Sequence, residues 1–228
     1  MRLLSWNLHD LLGDPLAVHR VIRAARPDVA CLQETPRRPG AALRLGLLGR
    51  RTGLRCVAGG RRSGGTAVFV APHVRVDWAW AFRLPVNGAF TRTRGACVVD
   101  VEAPGVGEVT VASVHLPLRS EERLDHAQRI CRVLRWRGRP PVVAGDLNEP
   151  AGAPAWTVWE PLVADPWLGA GWPTFPAWEP ALRLDAVLTP PGLCVHTPDG
   201  MPWHPGDVLR ASDHLPLLVE LPCHSEQG

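Results

Sequence analysis

The chain has 228 residues, 46% hydrophobic and 21% charged, with a formal net charge of +3. That balance excludes a disordered, collagen-like or disulfide-framework protein and leaves room for a single large α/β or two-sheet domain over residues 1–228. So small a net charge argues neither for nor against a nucleic-acid partner.

Residues 2–8, R-L-L-S-W-N-L, read as a strand ending at Asn7. Asp14-Pro15 supplies an N-cap and a proline at the first helical position. Val18, Val21, Ile22 and Ala25 then give one apolar stripe that stops before Pro27. Residues 29–33, V-A-C-L-Q, form a second short strand that delivers Glu34 at its end. Both strands of this β-α-β unit therefore finish on an oxygen donor suited to a hard cation, although Glu34 also reads as a plain surface acid.

A weaker helix is expected over 39–51, followed by strands at 54–58, 66–70 and 74–81 between Gly- and Pro-rich breaks. Residues 96–101 and 109–115 flank a Pro-Gly turn and predict a hairpin whose second strand ends on His115. Ser120 is expected to cap a helix carrying Leu124, Ala127, Cys131 and Leu134 on one face.

Residues 140–148, P-P-V-V-A-G-D-L-N, read as a short buried strand whose end frees Asp146 and Asn148. In extended chain their side chains would share a side and present a carboxylate and an amide together, although Asp and Asn are also ordinary turn formers. Five of the ten tryptophans fall in 149–181, a long ordered loop with one helical turn expected near 156–162. Residues 182–188, L-R-L-D-A-V-L, alternate and place Asp185 in mid-strand, where an unpaired carboxylate is costly and a buried partner is required. A second loop, 197–211, precedes Ser212, Asp213 and His214 and the final strand.

All 25 cationic side chains are arginine, a group suited to bidentate phosphate binding. Six cysteines (31, 56, 97, 131, 194 and 223) show neither C-x-x-C pairing nor zinc spacing and read as free thiols, mostly buried. Strand-like sequence from residue 2, no signal peptide and no membrane-length apolar run predict a cytoplasmic protein, with Met1 as a native start.

In order, the blocks S-W-N-L, L-Q-E, V-H-L, G-D-L-N, R-L-D-A-V-L and S-D-H-L-P resemble the signatures of the endonuclease/exonuclease/phosphatase superfamily, from Ser5 to Pro216. The resemblance implies two packed mixed β-sheets flanked by helices, a DNase-like four-layer α/β/β/α sandwich with a phosphate-ester cleft at one edge. It implies Glu34 as principal Mg²⁺ ligand, Mn²⁺ able to substitute, with Asn7 close by and Asp213 on the same side. Asp146 and Asn148 would align the attacking water and touch the scissile phosphate. His214, oriented by Asp185, would be the base or a cationic stabiliser, and His115 would bond a phosphoryl oxygen or assist the leaving group. Arg94, in T-R-T-R-G-A, matches a phosphate-contacting arginine of some members.

The chain departs from many nuclease members in two places. The residue two after Asn7 is His9 where they carry an acid, with Asp10 next. Residues 63–66 hold no glutamate to pair with His115. Three readings follow. The first is a monomeric Mg²⁺-dependent phosphodiesterase on nucleic acid, with Arg61, Arg62, Arg92 and Arg94 on the backbone. The second is a phosphoesterase on a small or lipid substrate, with Trp167, Trp172, Trp178 and Trp203 stacking bases, entering a bilayer or packing in the core. The third is a silent binding module, which would be expected to have lost one of Glu34, Asp146, Asn148, Asp213 or His214. All five are present.

Overall fold

Alternation along the strands sets the layers of the computed structural model, which describes residues 1–37, 39–87, 92–103, 105–167 and 171–221. In β1 (Arg2–Asn7) and β2 (Val29–Gln33), Leu3, Val29 and Cys31 face the space between two sheets. Leu4, Trp6, Ala30 and Leu32 face helices on the other side. The first sheet runs in the order β10 (Leu217–Glu220), β1, β2, β4 (Ala67–Val70) and β3 (Arg55–Ala58). The second runs β5 (Arg75–Leu84), β6 (Arg94–Ala103), β7 (Gly107–His115), β8 (Pro141–Asp146) and β9 (Asp185–Leu188). Among the described residues β1 with β2 and β7 with β8 pair in parallel, and the other neighbours are antiparallel.

Helices α1 (Pro15–Ala25), α2 (Ala41–Thr52) and α5 (Pro205–Ala211) cover the first sheet, packing Val21, Ile22, Leu45 and Val208 onto Trp6, Leu32 and Phe69. Helices α3 (Ser120–Arg137) and α4 (Pro154–Trp159) cover the second through Ile130, Leu134, Trp156 and Trp159. The result is the four-layer sandwich. A fully buried side chain such as Phe69 contributes about 1.5–3 kcal/mol through removal from water. Asp14 caps α1 as expected, accepting from the Leu16 N–H at 2.8 Å.

Four local expectations are corrected. Asp185 opens β9 rather than sitting in mid-strand, because the preceding residues turn back to bridge Phe175 with Leu182. Ser120 is the first helical residue of α3; the N-cap is Arg119, without a side-chain cap bond. The expected loop 197–211 ends in α5, where Pro205 pre-sets the first turn and His204 Nδ1 accepts from Gly206 N at 3.1 Å. The helical turn expected at 156–162 is α4, two residues earlier, started by Pro154. Among the described residues no helix is long and apolar enough to cross a membrane. Cys31, Cys97 and Cys131 are buried free thiols, whereas Cys194 is exposed.

Most of the tryptophans are structural. Trp156 and Trp159 are buried under α3, and Trp167 and Trp172 pack against the inter-sheet core. Trp203 packs under α5, while Trp178 stands 68% exposed.

Candidate active site at one end of the sandwich

The inward-facing rows that build the core turn polar at one end. After Leu3 come Ser5 and Asn7 on β1, after Cys31 comes Gln33 on β2, and after Val111 come Ser113 and His115 on β7. After Ala144 comes Asp146 on β8, and Asp185 precedes Val187 on β9. Register brings these ends together: His115 pairs with Asp146 across β7 and β8, and Asp146 with Asp185 across β8 and β9. Gly145 permits the close approach, since a Cβ there would overlap the Val114 carbonyl oxygen.

Asp146 is the hub. Its Oδ2 accepts from Asn7 Nδ2 at 3.0 Å and lies 3.4 Å from His115 Nε2 and 3.9 Å from His214 Nε2. Glu34 Oε1 lies 4.0 Å from the same His115 Nε2. His214 Nδ1 meets Asp185 Oδ2 at 2.8 Å, the buried partner expected for that carboxylate. Among the described residues the other oxygen of Asp185 is buried without a hydrogen-bond partner.

Asn148 reaches the site differently from the expected extended chain. It lies beyond the end of β8 with φ 53°, its N–H donates to Asp146 Oδ1 at 2.9 Å, and its Nδ2 donates to the Leu116 carbonyl at 2.8 Å. The carboxylate of Asp213 lies 3.6 Å from His9 Nδ1. Among the described residues, one potential ligand atom each from Asp146, Asp185 and His214 lie within 4.8 Å of one another.

Left-handed backbone gathers here. Of six non-glycine residues with positive φ among those described, five are His9, Asp10, Leu11, Glu34 and Asn148. Each costs about 1–3 kcal/mol unless its surroundings hold it. Bonds from His9 N to Asn7 Oδ1, from Leu11 N to the Leu8 carbonyl and from Leu12 N to the His9 carbonyl do so for the first three.

Charge is uneven. Burial, followed by repulsion from Asp185, raises Asp146 to about 7 against the opposing pull of His214, Asn7 and the Asn148 backbone. Burial acts to lower His214, yet Asp185, helped by Asp146 and Asp213, overrides it and lifts the imidazole to about 9. Burial, then the charges of Arg94 and His214, pushes His115 well below the usual imidazole value, so its ring is neutral. Arg94 opens β6 almost fully buried, and among the described residues its Nε and Nη1 have no partner. A buried guanidinium with unmet N–H groups beside Glu34 and Asp146 is ready for an anion.

Hard oxygen donors from Glu34, Asn7 and Asp146, the last raised by burial and by Asp185, fit a hard divalent cation.

Several supporting residues carried no role in the sequence reading. Ser212 Oγ donates to the Asn7 carbonyl at 2.6 Å and accepts from His214 N at 3.1 Å. Trp6 Nε1 donates to the His214 carbonyl at 2.9 Å, and Phe175 lies 4.8 Å from the His214 ring. Thr174 Oγ1 accepts from the N–H of Leu184 and of Asp185, both at 3.2 Å, and Ala177 N donates to the Asp213 carbonyl. The Trp-rich segment thus braces the His214–Asp185 pair. Ser212, inside S-D-H, and Trp6, inside S-W-N-L, carried a sequence signal; the others depend on long-range packing.

The model of the Endonuclease/Exonuclease/phosphatase family matches residues 4–214. A search of curated protein sequences returns no match. Among solved structures, an endonuclease/exonuclease/phosphatase from Beutenbergia cavernae superposes with TM-score 0.71 at 22% identity, over 98% of this chain and 71% of that one. A mannosyl-6-phosphatase from Bacteroides thetaiotaomicron gives 0.70 at 17% identity, over 97% and 99%. The human Nocturnin catalytic domain with a bound sulfate gives 0.64 at 18%, over 96% and 93%. Identities this low carry the fold and nothing finer.

Proposed function

Because this chain belongs to the Endonuclease/Exonuclease/phosphatase family, we propose that it is a divalent-metal-dependent phosphodiesterase cleaving nucleic acid by in-line attack of an activated water. The observation that carries this reading is the convergence of Asn7, His115 and His214 on the single oxygen Asp146 Oδ2, with Glu34 at the rim.

A phosphodiester repels an approaching hydroxide until its charge is neutralised. Mg²⁺, for which Mn²⁺ would substitute, would be held by Glu34 and Asn7 with Asp213 nearby, and when bound supplies that neutralisation and a polarised phosphoryl oxygen. The remaining roles belong to the chain. Asp146, raised to about 7, holds the water and takes its proton near neutral pH. His214, held by Asp185 and protonated at neutral pH, places a positive N–H toward the same oxygen and stabilises developing charge. Neutral His115 donates a hydrogen bond to a phosphoryl oxygen. Arg94 offers its unmet N–H groups to the scissile phosphate. Asn148 fixes Asp146 through its backbone and closes the site against Leu116.

The fold shared with a mannosyl-6-phosphatase favours a second reading, a phosphatase on a small phosphate monoester. One panel separates the two: plasmid, single strands, abasic duplex, an inositol phosphate, a sugar phosphate, sphingomyelin and bis-p-nitrophenyl phosphate, each with Mg²⁺, Mn²⁺ or EDTA. Nucleic-acid cleavage with metal and none in EDTA supports the first. Activity confined to monoesters or lipid replaces it.

A further inference from the structure

We infer that a pocket beside the site binds a second phosphate of the substrate, adjacent to the scissile one, on Arg37, Arg44 and Arg92. This rests on the phosphodiesterase reading of the neighbouring site and narrows it to substrates carrying at least two phosphates. The pocket encloses about 490 Å³ and is walled by Pro36, Thr93, the three arginines and Asp10.

Its charges are arranged for an anion. Arg37 Nη2 grips both oxygens of Asp10, at 2.9 and 3.0 Å. Arg92 Nη1 bridges Asp10 Oδ2 at 3.3 Å and Glu34 Oε2 at 3.2 Å, so one guanidinium joins the pocket to the rim of the catalytic site. Arg44 is exposed and carries no carboxylate partner among the described residues. Three guanidiniums thus face one carboxylate of the pocket's own, since Glu34 belongs to the neighbouring site.

Asp10 sits there through an unfavourable backbone. The run His9, Asp10, Leu11 has φ of 49°, 52° and 57°, a left-handed turn made without glycine. That turn aims Asp10 at Arg37 and Arg92, where its carboxylate stands in for phosphate oxygens and keeps the like charges assembled. An incoming phosphate presents a third oxygen and more charge, displaces Asp10 and gains Arg44 as well.

The test compares a dinucleoside monophosphate with the same dinucleotide bearing an additional 5′ or 3′ phosphate, under Mg²⁺. The wild-type protein should favour one phosphorylated isomer by about tenfold in kcat/KM, expressed in KM rather than kcat. Arg44→Ala, an exposed change that spares the fold, should collapse that ratio, as should Arg37→Ala. Asp10→Asn, which removes the competing carboxylate, should raise it. In EDTA, calorimetric binding of the phosphorylated dinucleotide should weaken by about the same tenfold in Arg44→Ala. Equal wild-type rates on all three compounds, or a ratio and a binding constant unmoved by Arg44→Ala, overturn the pocket and leave the phosphodiesterase reading standing. Hydrolysis of none of them removes both.

Discussion

His214 and Asp185 meet through one 2.8 Å contact, Nδ1 to Oδ2, and Asp185 itself pairs across the sheet with Asp146. One carboxylate therefore supports the imidazole and repels the neighbouring carboxylate at once. Asp185→Asn keeps the shape and removes the charge. The expected outcome is a lower protonation midpoint at His214, seen by NMR of the ring, and a fall in kcat of at least about 10²-fold. An unchanged midpoint would show that Asp185 does not govern the ring.

The same charges set how the metal-free protein responds to pH. His214 titrates above its unfolded value, so its stabilisation is fully present below about 6.5 and is lost as pH rises through about 9. Asp146 also titrates high. Its unfolded form ionises near about 3.9 while the folded form stays protonated to about 7, so the native state loses ground across that window. Both effects act in one direction. Below about 6.5 the depressed His115 pulls the other way, and there Asp146→Asn should remove only the downward share. In EDTA the melting temperature should therefore drop from about pH 7 to about pH 9. A melting temperature that rises over this range contradicts the assignment.

Glu34 carries both function and strain. Its φ of 48° costs a residue with a Cβ about 1–2 kcal/mol, whereas glycine adopts it freely. Glu34→Gly and Glu34→Ala should each lose at least about 10² in turnover. The glycine variant should nevertheless melt higher than the alanine variant by the equivalent of about 1 kcal/mol. Paired melting curves and initial rates check both halves.

Gly145 has no room for a methyl group, because a Cβ would enter the Val114 carbonyl oxygen. Gly145→Ala should destabilise by at least about 3 kcal/mol, at the upper end for a single substitution, read from urea unfolding. A nearly neutral variant would mean that β7 and β8 separate more easily than their pairing implies.

The strands and their polar ends were legible in sequence because each is a local pattern: alternation, then one oxygen or imidazole donor. That is how Asn7, Glu34, His115, Asp146 and His214 could be named before their contacts were seen, and the resemblance of the ordered blocks tied them into one cleft. Local pattern failed where backbone leaves the regular menu. Asn148 was read as extended but lies in a left-handed turn, and nothing in the letters H-D-L announces the turn at residues 9–11. The contact of Asp213 with His9, the residue that stands where many members carry an acid, likewise had no signal in sequence. α5 was missed because seven residues containing Pro, Gly and Asp show no stripe, and its stability comes from packing Val208 and Ala211 on the sheet.

The inward rows of β1, β7 and β8 hold valines and leucines at one end and the reacting groups at the other. Core and chemistry thus share one reading frame. A single inserted residue within β8 would swing Asp146 to the helix-facing side, disarming the protein while disturbing its packing. Length can change without that penalty only in the connections between strands, where an added residue leaves the alternation in register.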